Sequence, residues 1–507
     1  MNNLEVFIVF ISLFVLFVAL GFSGSRFRKG DMSDLGEWAI AGRRLGGYLA
    51  WFLVGGDLYT AYTFIAIPNA LFVKGAIYFF AVPYVGITFG VAMLTMPRLW
   101  KIAKEKNYVT AVDMVQDKFN SKSLAALIAL TGIVAELPYI ALQIYGMQAV
   151  LTVMIGQLVT VDAATITEIA LIISFIILAA FTFTSGLRGA AVTAVMKDVI
   201  IFVTVIVVIV VVPMAIGGFG HAFSSMKALP TGNETLAPLF LNGFISLVIM
   251  SALALYLYPH AINAVLGTSS TKRIRYSTAL LPIYGVGLAL LALFGILAYG
   301  STSTLAMISK YGPVTTVPSL IYNYFPSWFV GFAFLGIFIG GLVPASIMAI
   351  SQANLLTRNV IKPYKKNMTP QQETRYAKYF SVIFKFIALL FIFVISATYS
   401  LQLQLLGGVI VLQTLPAIFI ALFSNKLEKW STGVGWAAGM FTGIYLLLAA
   451  NDFNSITTVL FKFSTPLSFL YVGLIGLVVN LVIAVIGSLL VGAFRGTSSK
   501  KAAKVEQ

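Results

Sequence analysis

Leu53-Val54-Gly55-Gly56-Asp57-Leu58-Tyr59-Thr60, residues 53–60, lies midway along an apolar run spanning 45–71 and sets a carboxylate beside paired glycines. Each glycine weakens a helix by about 1 kcal/mol relative to alanine, and Pro68 restricts its continuation. An ionisable side chain at the centre of a membrane span costs roughly 2.5–3.5 kcal/mol on insertion scales. The stretch therefore reads as a broken helix near the bilayer midplane, with freed carbonyls on one half and a positive N-terminus on the other, both open to ions and anionic groups. The competing reading is a tight helix crossing at Gly55 and Gly56 with Asp57 paired elsewhere.

Outward from that stretch, the chain is built for a bilayer. Of its 507 residues 59% are hydrophobic and only 10% charged, and its mean hydropathy is +0.96; soluble domains carry about 25% charged residues. Apolar runs of about 20 residues, enough to cross roughly 30 Å of hydrocarbon, lie near 5–23, 45–71, 76–96, 124–154, 165–187, 190–215, 240–266, 277–299, 327–356, 377–397, 401–423, 432–450 and 466–492. Runs this continuous lack the alternation of barrel strands, so the thirteen spans are expected to be helices and the fold class all-α integral membrane. Asn2, Asn3 and Glu5 replace the basic start of a signal peptide, so the first run reads as a retained helix.

The net charge of +16 raises the question of a nucleic-acid partner, which the placement of the 33 Lys and Arg answers. With thirteen spans, 27 of them fall on loops of one side, 4 on the other (Lys74, Lys227, Lys310 and Lys462) and 2 in spans (Lys197 and Lys385). By the positive-inside rule the rich side is cytoplasmic, which puts the N-terminus outside and the C-terminus inside a cell membrane. The charge encodes orientation, and nucleic acid is unnecessary. Absence of cysteine excludes disulfides and thiol catalysis, and two histidines leave little for a metal. Asn233-Glu234-Thr235 matches a glycosylation acceptor in an outside loop.

A second interruption, Tyr256-Leu257-Tyr258-Pro259-His260, falls in the seventh span, five helices after the first. A repeat of five helices sets its copy upside down, so spans two to six and seven to eleven read as inverted halves that each open with a discontinuous helix. The chain then divides into a first helix and loop (1–44), repeat one (45–217), an outside loop (218–239), repeat two (240–423) and two last helices with a basic tail (424–507). Glu136, Lys197, Asp198 and Lys385 join Asp57 as ionisable residues in spans. Lys385 is expected to snorkel to the cytoplasmic face, and His260 to cap a helix end.

These features, with Ala41-Gly42-Arg43-Arg44-Leu45-Gly46, Gly186-Leu187-Arg188-Gly189 ahead of Asp198, and Gly217-Gly218-Phe219-Gly220, resemble the sodium:solute symporters over nearly the whole chain. Leu257-Tyr258-Pro259-His260 and Ala353-Asn354-Leu355-Leu356-Thr357-Arg358-Asn359 look most like the monocarboxylate-permease branch. The resemblance implies a LeuT-type five-plus-five core and lactate, pyruvate, acetate or a small amino acid such as alanine as solute. It also implies a sodium ion between the first and eighth core helices, on the carbonyls of Gly55 and Leu58 with Asp57 beside it. The partner helix departs from the pattern, since Val343 and Pro344 stand where hydroxyls belong and Ser346 is the nearest one. A hard cation wants oxygen ligands.

The family's common Trp-Thr-Asp is here Val195-Met196-Lys197-Asp198, so the Lys197 ammonium could stand where sodium would. One reading makes Lys197 a protonating group that couples transport to protons; the other makes it a static partner of Asp198 or Asp57. Tyr59, Thr60, Tyr62, Tyr139, Gln143, Tyr145, Ser251 and Tyr256 are the candidates to face the solute, each with interhelical packing as its ordinary alternative. The expected function is a cation-coupled symporter, with sodium or a proton as coupling ion and no prosthetic cofactor, importing a small monocarboxylate by alternating access. An alanine- or proline-type symporter is the alternative within that class, and a channel or a substrate sensor lies outside it. No nucleophile, base and orienting group recur together, so an enzyme is not expected.

Overall fold

The protein, in a computed structural model, is described over residues 1–26, 30–159, 163–227, 234–365, 367–390, 396–464 and 468–505. Arg28, Lys29, Asn233 and Lys366 lie outside the described residues, so the glycosylation expectation at Asn233 does too. Among the described residues, nine helices are long and apolar enough to cross a membrane, ten if the pair Ser400–Thr414 and Pro416–Phe423, inclined at 42°, is one span. The chain is an all-α multi-pass membrane protein.

The thirteen apolar runs do not map one to one onto single helices. Runs 165–187 and 190–215 join in one stretch, Ala163–Ile216, that turns at Gly186 with φ 53° and ψ −145°. Only glycine takes this conformation readily, and a Cβ there would collide with the Trp38 carbonyl. Run 45–71 is split, with Gly47–Gly56 ending before Asp57 and regular α-helix resuming at Ile67–Lys74 after one wide turn, Tyr62–Ala66. Run 240–266 is likewise split into Leu241–Leu255 and Pro259–Leu266. The last run begins late, because Leu460–Lys462 pairs antiparallel with Phe469–Tyr471 and helix starts only at Val472. Ser246 holds that hairpin by accepting from the Tyr471 backbone N–H at 3.0 Å.

Burial separates a core from a periphery. The most apolar 18 residues of Ser327–Ile361 are 100% buried, whereas the matching windows of Asn3–Ser23, Lys429–Ala449 and Val472–Ala493 are 22%, 28% and 28% buried. In lipid, helices associate by close packing instead of by a hydrophobic drive, so small residues mark their contacts. Gly146 lets the Lys122–Leu158 helix close on Ala61, and Gly55 lets the first broken helix close on the Tyr284 ring.

At the end bearing the basic loops, the two broken helices are joined by main chain. Leu45 N–H donates to the Gly267 carbonyl at 3.0 Å and Ser269 N–H to the Leu45 carbonyl at 3.1 Å, a short parallel bridge. Trp100 Nε1 donates to the Thr268 carbonyl at 2.7 Å. Arg43 adds donors to the carbonyls of Leu266, Ala103 and Tyr108.

Candidate functional site

At the first break the regular helical hydrogen bonding is interrupted for a few residues. Leu58 and Tyr59 N–H both donate to the Gly55 carbonyl, at 2.9 and 3.2 Å, and Thr63 Oγ1 donates to the Leu58 carbonyl. The carbonyls of Gly55 and Leu58, the two the resemblance assigns to sodium, are therefore engaged within their own segment. Those of Gly56 and Tyr59 are left to turn outward, and Lys197 Nζ donates to both, at 2.9 Å to Tyr59. The ammonium also pairs with Asp198 Oδ1 at 2.9 Å, and Tyr284 donates its hydroxyl to Asp198 Oδ2 at 2.6 Å. Lys197 and Asp198 are wholly buried. A buried charge pair holds its place only when its remaining donors and acceptors are met, and here two carbonyls and a phenol meet them. The ammonium thus lies against the open backbone of the break.

On the facing helix, Ser327–Leu355, a glycine stands beside the break and brings no side-chain oxygen. Gly340 is the residue of Ser327–Leu355 whose absent side chain points at the break, with the Tyr59 carbonyl 3.9 Å from where its Cβ would be. Ser346 Oγ is bonded instead to Thr182 Oγ1 at 2.8 Å, on another helix.

A second buried cluster ties the two breaks together. His260, the second residue of Pro259–Leu266, lies with Nε2 3.2 Å from Asp57 Oδ2 and donates from Nδ1 to Glu136 Oε1 at 2.6 Å. Its backbone N–H donates to the same Glu136 oxygen at 2.8 Å, so Glu136 also caps the positive end of that half-helix. Ser351 Oγ donates to Glu136 Oε2 at 2.7 Å. Asp57, His260, Glu136 and Ser351 form one chain from the first break across the second to the helices Lys122–Leu158 and Ser327–Leu355.

Two expectations change. His260 is no peripheral cap; it is fully buried, with its ring between the carboxylates of Asp57 and Glu136. Lys385 does not snorkel: it is fully buried, and its Nζ has no hydrogen-bond partner among the described residues.

The other expected residues sort by position. Thr60 Oγ1 accepts from Tyr62 N–H at 3.1 Å, and Gln143 Oε1 accepts from Ala61 N–H at 3.0 Å, so both cap the resumed helix. The Tyr139 ring stands 5.3 Å from that of Tyr258 and 5.5 Å from His260, and Tyr62 faces Tyr84 at 6.4 Å. Tyr256 lies in the second break within electrostatic reach of Asp57. Tyr59 turns its ring away to pack on Tyr284 and Phe202, at 4.7 and 5.2 Å, and meets Lys197 through its carbonyl. Ser251 and Tyr145 are buried on Leu241–Leu255 and Lys122–Leu158.

Sequence reasoning did not single out Tyr284, Tyr84 or Ser351. The polar run Ser351-Gln352-Ala353-Asn354 inside an apolar span was a signal for the last. Tyr284 and Tyr84 had none.

The family model for the sodium:solute symporter family matches residues 38–443. Among curated relatives, a monocarboxylate transport permease protein of Rhizobium johnstonii is 38% identical, covering 96% of each chain. The uncharacterized symporter YodF of Bacillus subtilis is 33% identical over 87% of each, and the sodium/pantothenate symporter of Escherichia coli 23% identical over 75% of this chain and 77% of its own. Among solved structures, a substrate-bound outward-open state of a Na+-coupled sialic acid symporter has a TM-score of 0.73 at 16% identity, over 96% of this chain and 98% of that one. At that identity the likeness is one of fold.

Proposed function

The chain belongs to the sodium:solute symporter family, a family of transporters and not of enzymes, and we propose that it imports a small monocarboxylate, such as lactate, pyruvate or acetate, by cation-coupled alternating access. The observation that carries the reading is the meeting of two broken helices around buried charge: Lys197 on the carbonyls of the first break, and His260 of the second against Asp57 of the first. Discontinuous helices near the midplane are where secondary transporters bind solute and ion. The monocarboxylate is favoured by the name of the Rhizobium johnstonii relative.

In this reading the chain crosses the membrane thirteen times. Residues 163–185 and 187–216 are separate crossings on either side of Gly186, and each split run is one crossing. Residues 45–217 and 240–423 are the inverted repeats, and the less buried first and last helices are additions to them. The ion coupled to transport is sodium or a proton; Lys197 lies on the carbonyls of Gly56 and Tyr59, beside those of Gly55 and Leu58 that the resemblance gives to sodium.

Counterflow in proteoliposomes with labelled lactate, pyruvate, acetate, alanine and proline tests the solute, and repeating uptake under imposed sodium or proton gradients tests the ion. Saturable exchange of at least one of the first three is expected. Exchange of proline alone, or flux that never saturates, would overturn the reading. For orientation, a reporter fused after Gln507 should be active only if it is of a kind that works in the cytoplasm; activity of an outside-only reporter there would contradict the 27-to-4 asymmetry of basic residues.

A further inference from the structure

Resting on the monocarboxylate reading, the geometry points to a second, outer binding place for the solute: a cavity at the end away from the basic loops, where the Lys74 ammonium and the Tyr78 hydroxyl receive the carboxylate before it reaches the breaks. The cavity holds about 350 Å³, inside the range of small-molecule sites, ~300–1,000 Å³. Its wall draws on the far ends of both broken helices, Ile67–Lys74 with the turn after it and Leu241–Leu255, and on Ser400–Thr414 and the strand at Leu460. At the opposite end the same two broken helices are joined by the bridge from Leu45 to residues 267–269. The pair is thus tied at one end and stands around a cavity at the other. Lys74 and Thr458 are exposed at the mouth, whereas Leu247 and Gln402 are buried at the floor. Gln402 and Gln404 lie on one helix, and the Gln404 carbonyl accepts from the Tyr258 hydroxyl at 3.0 Å, so the floor backs onto the second break.

The chemistry of the wall fits a small organic anion. Lys74 is the one charged side chain among the described lining residues, and its ammonium takes part in no ion pair of the described residues. Gly75, at φ 78°, turns the chain between Lys74 and Tyr78, and both side chains line the cavity. The Tyr78 hydroxyl accepts from Gln402 Nε2 at 3.3 Å and donates to no described residue, so its proton is left for a ligand. Ile77, Phe240, Leu247 and Leu460 supply an apolar side for an alkyl group. A cation would meet the ammonium with no carboxylate in the described wall to offset it. Charge-assisted hydrogen bonds are roughly twice as strong as neutral ones, so the ammonium selects the charge and the apolar side accepts the rest. The contact is with the carboxylate alone, and lactate, pyruvate and acetate are received alike.

Ala76→Cys puts a single thiol into the wall, because the chain has no cysteine of its own. In the purified full chain, lactate, pyruvate and acetate should each slow the reaction of that thiol with N-ethylmaleimide, and lactamide, which keeps the shape of lactate without its charge, should not. Adding Lys74→Gln should raise the concentration needed for half protection about tenfold, the lower end of what a hydrogen bond to a charged group is worth. Adding Lys74→Arg, which keeps the charge, should leave it near its starting value. With the native Ala76 in place, Lys74→Gln should raise the KM of uptake into proteoliposomes and Lys74→Arg should not, which reads the proposal even if the cysteine variant fails to fold. Protection undiminished by Lys74→Gln would overturn the proposal, since the thiol would then report only closure over solute bound elsewhere. So would lactamide protecting as well as lactate, or no protection by any of the three acids while their counterflow saturates. If none of the acids exchanges in counterflow, the monocarboxylate reading itself has failed, which is a different result from exchange without protection at this cavity.

Discussion

Lys197→Ala is expected to lower uptake more than a hundredfold at low sodium and to make the remainder rise with added sodium. Removing the ammonium strands the Asp198 carboxylate and the carbonyls of Gly56 and Tyr59 in a buried site. Breaking a buried pair by deleting one partner costs about 3–5 kcal/mol, enough to account for a loss of that size. The same deletion opens three oxygens around a space the size of an ammonium, the donor set a hard cation prefers. Uptake into proteoliposomes at low and high sodium, with the osmotic strength held constant, measures both parts. A variant that transports like the wild type, or whose residual activity ignores sodium, would show that Lys197 does not stand where a cation can.

Glu136→Ala should be nearly as damaging, for a different reason. It removes the acceptor of three hydrogen bonds at once, leaving His260 Nδ1 and the N-terminus of Pro259–Leu266 unmet and the Ser351 hydroxyl with the Met348 carbonyl alone. Networks of this kind lose more than the sum of their pairs when one member goes. The expected result is loss of transport together with a clearly lower unfolding temperature in detergent, whereas Glu136→Gln, which keeps one acceptor oxygen and the shape, should lose less of both. Normal stability and transport in Glu136→Ala would mean that the cluster is ornamental to the fold and to the cycle.

The two breaks were legible in the sequence because each has a local cause: Gly55 and Gly56 beside Asp57, and Pro259 after Tyr258. Lys197 stood out too, as a charged residue where the family has a threonine, but its carbonyl partners are Gly56 and Tyr59 and not the Gly55 and Leu58 that the resemblance gives to the ion. What joined the parts was not. Asp57, Glu136 and His260 are separated by 79 and 124 residues along the chain, and nothing in one sequence says that three ionisable groups meet. Each taken alone has a harmless reading, and for His260 the harmless reading misled. Tyr284 was illegible for a deeper reason, since a phenol in an apolar helix carries no penalty that would flag it, and its role arises only from where Asp198 ends up. Lys385 shows the opposite failure, a residue flagged correctly but assigned to the surface by its nearness to a helix end.

The bridge between Leu45 and residues 267–269 is made of two bonds between peptide groups, with the Ser269 hydroxyl adding a third to the Leu45 carbonyl at 2.9 Å. Side chains at these positions can change without deleting the two peptide bonds of the bridge, so most substitutions tune this joint without erasing it. If inward release requires the two broken helices to part here, the obstacle is written into the backbone path itself, and only a residue that lacks an N–H would remove it. Proline at position 45 or 269 is thus a different kind of lesion from any other substitution there: it takes out a hinge pin where the others repaint the door.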